Sequence, residues 1–280
     1  MEIIRTIAAM QAWSNRIHRS GETVAFVPTM GFLHAGHAAL MREAKKRGNR
    51  VVVSIFVNPT QFGPNEDLDK YPRDFEGDSR LCEREGVDAI FFPEAAEMYP
   101  PGAQTWVEVQ ELSRDHCGAS RPGHFRGVAT IVTKLFLAVK PDTAVFGEKD
   151  FQQLAVIRRM ARDLNFDTEI VGLATVREPD NLAMSSRNKY LSPDERKRAL
   201  CIPKGIRAAQ AKFAAGERDA RILIDSVRRE LDAAGAEPDY VHLVDPDTLG
   251  NADRAESRNV ILVAARVGNT RLIDNATIGA

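Results

Sequence analysis

Two histidines three residues apart, His34 and His37, lie just after a short apolar run in the stretch Pro28-Thr29-Met30-Gly31-Phe32-Leu33-His34-Ala35-Gly36-His37. On the first turn of a helix, residues at this spacing share a face. That turn also carries unpaired N–H groups and the positive end of the helix dipole, which favour phosphate. Two imidazoles there supply hydrogen bonds to a triphosphate and stabilise charge developing on a departing pyrophosphate. Gly31 and Gly36 allow a ligand to approach the backbone. The alternatives are a structural pair or a metal site. The metal lacks a nearby third ligand, since no carboxylate or cysteine lies between Thr23 and Met41.

Three further segments carry polar groups of the same kind. Asn58-Pro59-Thr60-Gln61-Phe62-Gly63 follows a second apolar run. In Gly147-Glu148-Lys149-Asp150, Lys149 suits phosphate as a point charge, and Asp150 suits a helix cap or the ordering of a metal. An ordinary solvated helix start is the alternative. Met184-Ser185-Ser186-Arg187 offers two hydroxyls and a guanidinium charged at any working pH. A capped turn before the next helix explains the same residues. No GxSxG surrounds these serines, so neither reads as a nucleophile. The basic, turn-like segment 120–127 (SRPGHFRG) suits either phosphate or a subunit interface, and the sequence does not choose.

The elements that must position these segments follow from hydrophobic period. Strands are expected at 23–27, 51–57, 87–92, 144–146 and 169–173, with a short one at 105–109. Helices are expected at 34–47, with Gly48 as a stop, and at 75–85, 126–139 and 151–165. The near-continuous apolar VVVSIFV fits a parallel strand covered on both faces. Strand–helix alternation implies a parallel sheet with right-handed crossovers. The polar segments then follow strand carboxyl ends, where open parallel sheets bind ligands. After about residue 176 the pattern changes. Ser192-Pro193-Asp194-Glu195 is a capping-box helix start. Its helix should reach about 215 with a kink or break at Pro203, and a second should cover 220–234. Short strands at 240–244, 260–265 and 271–273 complete a small sheet. The fold class is α/β: a Rossmann-like parallel sheet with helices on both faces, plus a smaller C-terminal α+β domain. The expected division is 1–175 for nucleotide and substrate binding and 176–280 for a domain closing over the active site.

The 280 residues carry a net charge of -1, with 44% hydrophobic and 28% charged residues. This is a globular composition with no basic field for nucleic acid or an anionic membrane. Cys82, Cys117 and Cys201 form no CxxC and no even framework, which points to a reducing compartment and to small buried or half-exposed thiols. The N-terminus has no secretion-signal pattern. The uncharged stretch 23–41 carries Pro28, Gly31, Gly36 and two histidines, unlike a membrane span.

PTMGFLHAGH resembles the HIGH-type signature of the nucleotidyltransferase superfamily that includes class I aminoacyl-tRNA synthetases. With SIFVNPTQFG, YPRDFEGD, SRPGHFRGV, FGEKDFQQL, MSSRNKYLS, LVDPDTL and RLIDN in order, essentially the whole chain resembles the pantothenate synthetase (pantoate–β-alanine ligase) family. The resemblance implies ATP binding by Met30, Gly31, Phe32, Leu33, His34, Ala35, Gly36 and His37, with His37 the proton donor. It implies the same for Gly147, Glu148, Lys149, Asp150, Val176, Met184, Ser185, Ser186 and Arg187. Gln61 would contact pantoate and β-alanine, and Gln153 would hold pantoate. The resemblance further implies Mg²⁺ with no ligands specified, a cytoplasmic location and a homodimer. Two positions depart from the family's usual pattern: Asn181 stands where glycine is common, and Ala138 where asparagine is. Asparagine tolerates positive φ, so a turn is expected to survive at Asn181.

Together these residues describe activation of a carboxylate by adenylation, followed by attack of a neutral amine. His34, His37, Lys149, Arg187 and Mg²⁺ would neutralise charge, and closure of the 184–187 loop would exclude water. An adenylyltransferase of a phosphorylated small molecule, or a nucleotide-binding module without turnover, are the competing readings. The first would exchange pyrophosphate without pantoate.

Overall fold

The computed structural model describes residues 1–64 and 66–280. The chain divides into two compact units: Met1–Glu148 with Val156–Ala174, and Lys149–Ala155 with Thr175–Ala280.

The first unit is built on a six-stranded parallel sheet, β1 (Glu2–Ile4), β2 (Val24–Thr29), β3 (Arg50–Ile55), β4 (Ala89–Phe91), β5 (Thr143–Gly147) and β6 (Glu169–Leu173). Their order is β1-β4-β3-β2-β5-β6. The helices are α1 (Ile7–Arg19), α2 (Ala35–Lys45), α3 (Phe75–Arg84), the single turns α4 (Ala95–Met98) and α5 (Cys117–Ser120), then α6 (His124–Val139) and α7 (Phe151–Asp163), which begins in the second unit. Helix α2 packs across β2, β3 and β5, whereas α1 and α6 pack on each other and on β2. This is a Rossmann-like sheet with helices on both faces.

Strand order reverses between β2 and β5, the switch point at which such sheets open a crevice. Six residue pairs join β2 to β3, from Val24↔Arg50 to Thr29↔Ile55. Only Ala25↔Thr143 and Phe26↔Ala144 join it to β5. Past Phe26 the two strands part, so Pro28, which has no N–H, occupies the strand without an orphaned ladder bond on that side. The core beneath is β-branched and small, with Ala25, Val27, Val51, Val53 and Ile90 at most 2% exposed. Gly48 is required by packing rather than as a cap. A Cβ there would lie 2.7 Å from the backbone nitrogen of Ala25, and α2 has already ended at Lys45.

In the second unit, α8 (Pro193–Ala199), α9 (Cys201–Ala214) and α10 (Ala220–Ala233) accompany an antiparallel sheet of β7 (Glu237–Val244), β8 (Val260–Val267) and β9 (Thr270–Thr277), ordered β7-β8-β9. This is the smaller α+β part. The Ser192–Glu195 capping box starts α8 as expected. Leu223, Val227 and Leu231 form the buried stripe of α10. Leu223→Ala would cost about 2–5 kcal/mol.

Two local expectations fail. Residues 105–109 form no strand. Val107 instead exchanges bonds with the Thr130 side chain, its N–H donating to Oγ1 at 3.0 Å and its carbonyl accepting at 3.4 Å. A hydroxyl on α6 thus replaces the strand partner that the alternation of TWVEV requires. The break expected at Pro203 occurs at Leu200, which ends α8 and caps α9. Pro203 falls in the first turn of α9, where its missing N–H has no helical partner to lose.

Candidate active site

In the first unit, the segment after β2 is a shaped loop leading into α2. Gly31 and Phe32 both have positive φ, +82° and +53°. A Cβ on Gly31 would lie 2.9 Å from Oδ2 of Asp78 and 3.0 Å from Ile55. The glycine is therefore demanded by the fold as well as by any ligand. Asp78, from α3 and only 3% exposed, holds this strained turn. Its two oxygens accept from the Phe32 N–H at 2.8 Å and the Leu33 N–H at 2.6 Å. Burial pushes the Asp78 carboxyl above its ordinary range, against the pull of those two N–H bonds. Sequence reasoning missed Asp78. The available signal was its spacing of four from Cys82, which places an acid on the apolar face of α3; such an acid needs a partner.

The histidine pair sits on the first turn of α2, as its spacing requires, with ring centroids 4.1 Å apart. His34 caps the helix. Its Nδ1 accepts from the Gly36 N–H at 3.1 Å, and its own N–H donates to Nδ1 of His37 at 3.2 Å. With both Nδ1 atoms accepting, each neutral ring carries its proton on Nε2 and is a donor there. A cavity of about 490 Å³ flanks the far side of this loop between α2 and α3, lined by Phe32, Leu33, His34, Arg42 and Asp78.

The turn after β3 meets the first loop directly. Nε2 of Gln61 donates to the Met30 sulfur at 3.2 Å, and Oε1 of Gln61 accepts from Nδ2 of Asn58 at 3.0 Å. Asn58 is itself held by the Tyr99 hydroxyl at 2.8 Å and donates to the Gly127 carbonyl at 3.2 Å. The amide of Gln61 is thereby oriented with its donor end on the Met30 side. The segment 120–127, which the sequence left open between phosphate and interface, packs on this turn. Arg121 pairs with Glu66, and His124 bonds the Gln61 carbonyl. At the end of β5, a Cβ on Gly147 would meet nothing within 4 Å, and its φ is not positive. Neither packing nor conformation explains that glycine, and the space above it is open.

In the second unit, Lys149 and Asp150 lie 3.5 Å apart across their charged ends. The carbonyl of Lys149 accepts from Nδ2 of Asn275 at 2.9 Å. Gln153, on the first turn of α7, is half-buried and its side chain bonds no other described residue. The Met184 N–H donates to the Val176 carbonyl at 2.9 Å, so these two residues adjoin across a hairpin. Arg177 anchors it, forking onto buried Asp274 at 2.8 and 3.0 Å. The RLIDN stretch thus contributes both Asp274 and Asn275. Ser185 caps the 3-10 turn Ser186–Tyr190, its hydroxyl accepting from the Arg187 N–H at 3.3 Å. Buried Asn188 ties that turn to Oε1 of Glu178 at 2.6 Å and to the Ala183 carbonyl at 3.0 Å. The capped-turn reading of Ser185 is correct, and it leaves Arg187 on a fixed backbone. No group of three or more metal-ligating side chains occurs among the described residues.

Residues 2–277 match the family model described as pantoate-beta-alanine ligase. Pantothenate synthetase of Geobacter sulfurreducens is 55% identical over all of this chain and 99% of its own length. That of Myxococcus xanthus is 55% identical over 99% and 96%. The crystal structure of pantothenate synthetase from Thermus thermophilus superposes with a TM-score of 0.95 at 45% identity, covering both chains completely. A pantoate-beta-alanine ligase from Francisella tularensis, complexed with beta-gamma ATP and beta-alanine, gives a TM-score of 0.82 at 33% identity over 100% and 98%. The fold is that of these two solved structures over at least 98% of each chain, and the chain belongs to the pantoate-beta-alanine ligase family.

Proposed function

We propose that the protein condenses pantoate with β-alanine at the expense of ATP, releasing AMP and pyrophosphate through a pantoyl-adenylate. Membership of the family, over residues 2–277, carries this reading. In the first step a carboxylate oxygen of pantoate attacks the α-phosphorus of ATP, and the bond to pyrophosphate breaks. In the second the neutral amine of β-alanine attacks the acyl carbon, the C–O bond to AMP breaks, and the amine loses a proton. Neither step requires a protein nucleophile, only positioning and charge stabilisation.

Met30, Gly31, Phe32, Leu33, His34, Ala35, Gly36 and His37 take the nucleotide at the start of α2. The Nε2–H tautomers of His34 and His37 suit donation to phosphate oxygens. The open space over Gly147, beside Glu148, favours the same ligand. Lys149, Arg187 and the hydroxyls of Ser185 and Ser186 contribute charge and hydrogen bonds, while Val176 and Met184 form the hairpin edge that contacts the nucleotide. Gln61 takes pantoate and β-alanine, and the uncommitted amide of Gln153 takes pantoate. Mg²⁺ commonly binds through one or two carboxylates and substrate phosphates rather than a protein cage. Asp150, beside Lys149, fits that role. When bound, the ion would neutralise phosphate charge.

No helix among the described residues is long and apolar enough to cross a membrane. The three cysteines form no disulfide and are buried, and burial pushes Cys82 up to about 12 and Cys201 to about 11. Inert thiols of this kind agree with a cytoplasmic enzyme. A homodimer is the assembly proposed, to be read by sedimentation equilibrium. The activity is tested by product analysis. Equal amounts of pantothenate, AMP and pyrophosphate support it, and ADP with phosphate would refute it.

A further inference from the structure

Gln61 sits on a turn that is poorly held by its own hydrogen bonds. The Gln61 N–H reaches the Asn58 carbonyl at 3.5 Å, and the Phe62 N–H reaches that of Pro59 at 3.4 Å. Both lie beyond the usual range for N–H···O bonds. The stronger contact comes from the first residue of α6, and a weaker one from Arg121 just before that helix. Nδ1 of His124 bonds the Gln61 carbonyl at 2.8 Å, and Nη2 of Arg121 approaches the same oxygen at 3.3 Å. Bare Gly127 lies against the Thr60–Gln61 peptide, where a Cβ would come within 2.4 Å of the Thr60 carbonyl oxygen.

The protonation pattern follows from these partners. A carbonyl only accepts, so Nδ1 of His124 carries the proton. Nε2 then accepts from Nη1 of Arg121 at 3.0 Å. Arg121 is fixed in turn by Glu66, with a fork at 2.7 and 2.5 Å. This arginine is 15% exposed and the acid 24%. Charge-assisted forks of this kind combine strength with fixed geometry. The relay runs Glu66, Arg121, His124, Gln61 carbonyl, and none of its first three members was assigned a ligand.

We propose that His124, oriented by Arg121 and Glu66, is a positioning residue that fixes the Gln61 turn for pantoate. The proposal rests on the reading of Gln61 as a pantoate contact. His124 acts on the backbone of that residue, so its loss should loosen pantoate while leaving the nucleotide alone.

Steady-state kinetics of the full chain test this with four variants. His124→Phe keeps a ring and removes the donor. It should raise the pantoate KM by about tenfold, the scale of one lost hydrogen bond, with the ATP KM within about twofold. His124→Asn places an amide N–H near the position of Nδ1 and should recover most of the loss. Glu66→Gln, at the accessible end of the relay, should shift the same constant in the same direction by a smaller factor, and it remains informative if the phenylalanine variant fails to fold. Gln61→Ala should raise the pantoate KM and abolish any further effect of His124→Phe in the double variant. A folded His124→Phe enzyme with unchanged pantoate KM, alongside a Gln61→Ala enzyme in which it rises, overturns the positioning role. An unchanged pantoate KM in Gln61→Ala removes the reading of Gln61 itself and the proposal with it. Equal weakening of ATP and pantoate in every variant shows general loosening and also overturns it.

Discussion

The backbone N–H of His34 donates to Nδ1 of His37 across 3.2 Å, while the ring of His34 takes the Gly36 N–H. One nitrogen of each ring is thus spent on capping α2, and the proposed chemistry falls to the other. The two functions of His37 are separable by substitution. His37→Asn keeps a short-armed acceptor for the His34 N–H and loses Nε2. It should fold with nearly unchanged stability and slow adenylate formation by about 10²–10³-fold. His37→Ala should show the same kinetic loss with an added cost of about 0.5–2 kcal/mol for the cap. Single-turnover rates and urea unfolding of both variants check this. Equal stability of the two would remove the capping role, and wild-type rates would remove the catalytic one.

Lys149 is held through its carbonyl by Asn275, a residue 126 positions later in the chain. Lys149→Ala should slow adenylate formation by about 10²–10³-fold, the usual loss of one donor to transition-state charge. Asn275→Ala leaves the lysine in place but frees its backbone, and a loss of about tenfold is expected. An Asn275→Ala enzyme as slow as Lys149→Ala would mean that Asn275 does more than hold that carbonyl.

Asn181 has a φ of +72°, as expected from the glycine usual in the family at this position. Its N–H donates to the Glu178 carbonyl at 2.8 Å, and its carbonyl accepts from Arg177 at 3.1 Å. Asn181→Gly should be close to neutral for activity. Asn181→Val should cost about 1–3 kcal/mol, because a β-branched residue strains this region. Thermal unfolding and turnover of the pair measure it, and a valine variant as stable as the glycine one would contradict the strain argument.

Much of the fold was legible because it rests on local pattern. The strand–helix alternation through β6, the stop of α6 before Pro141 and the Ser192 capping box all follow from period and punctuation. What escaped depends on partners distant in sequence. The alternation in TWVEV looks like a strand, yet Val107 is satisfied by Thr130. Strand β1 is three residues long and is defined only by its pairing with β4. In the site, the residue types and spacing marked the loops that carry candidate ligand contacts. Asp78, His124 and Asn275, which hold those loops, each serve backbone at least 45 positions away in the chain, and of the three only Asp78 leaves a local trace, its spacing of four from Cys82.

Stability should record the buried acid beneath the loop between β2 and α2. Burial places the Asp78 carboxyl above its unfolded value, so the folded state binds this proton more tightly than the unfolded chain. Its contribution is then greatest in acid and is lost as pH rises through the raised value. Asp78→Asn should abolish that slope and lower stability by about 1–3 kcal/mol, since one loop N–H would face an amide N–H₂. Urea unfolding across the carboxylate range checks both, and parallel pH profiles for the two proteins would contradict the assignment.

In the proposed mechanism a pantoyl-adenylate forms before the amine takes part. Isotope exchange between ATP and labelled pyrophosphate measures that step alone. Exchange should require pantoate and proceed without β-alanine. Exchange that proceeds without pantoate, or that absolutely requires β-alanine, would contradict it.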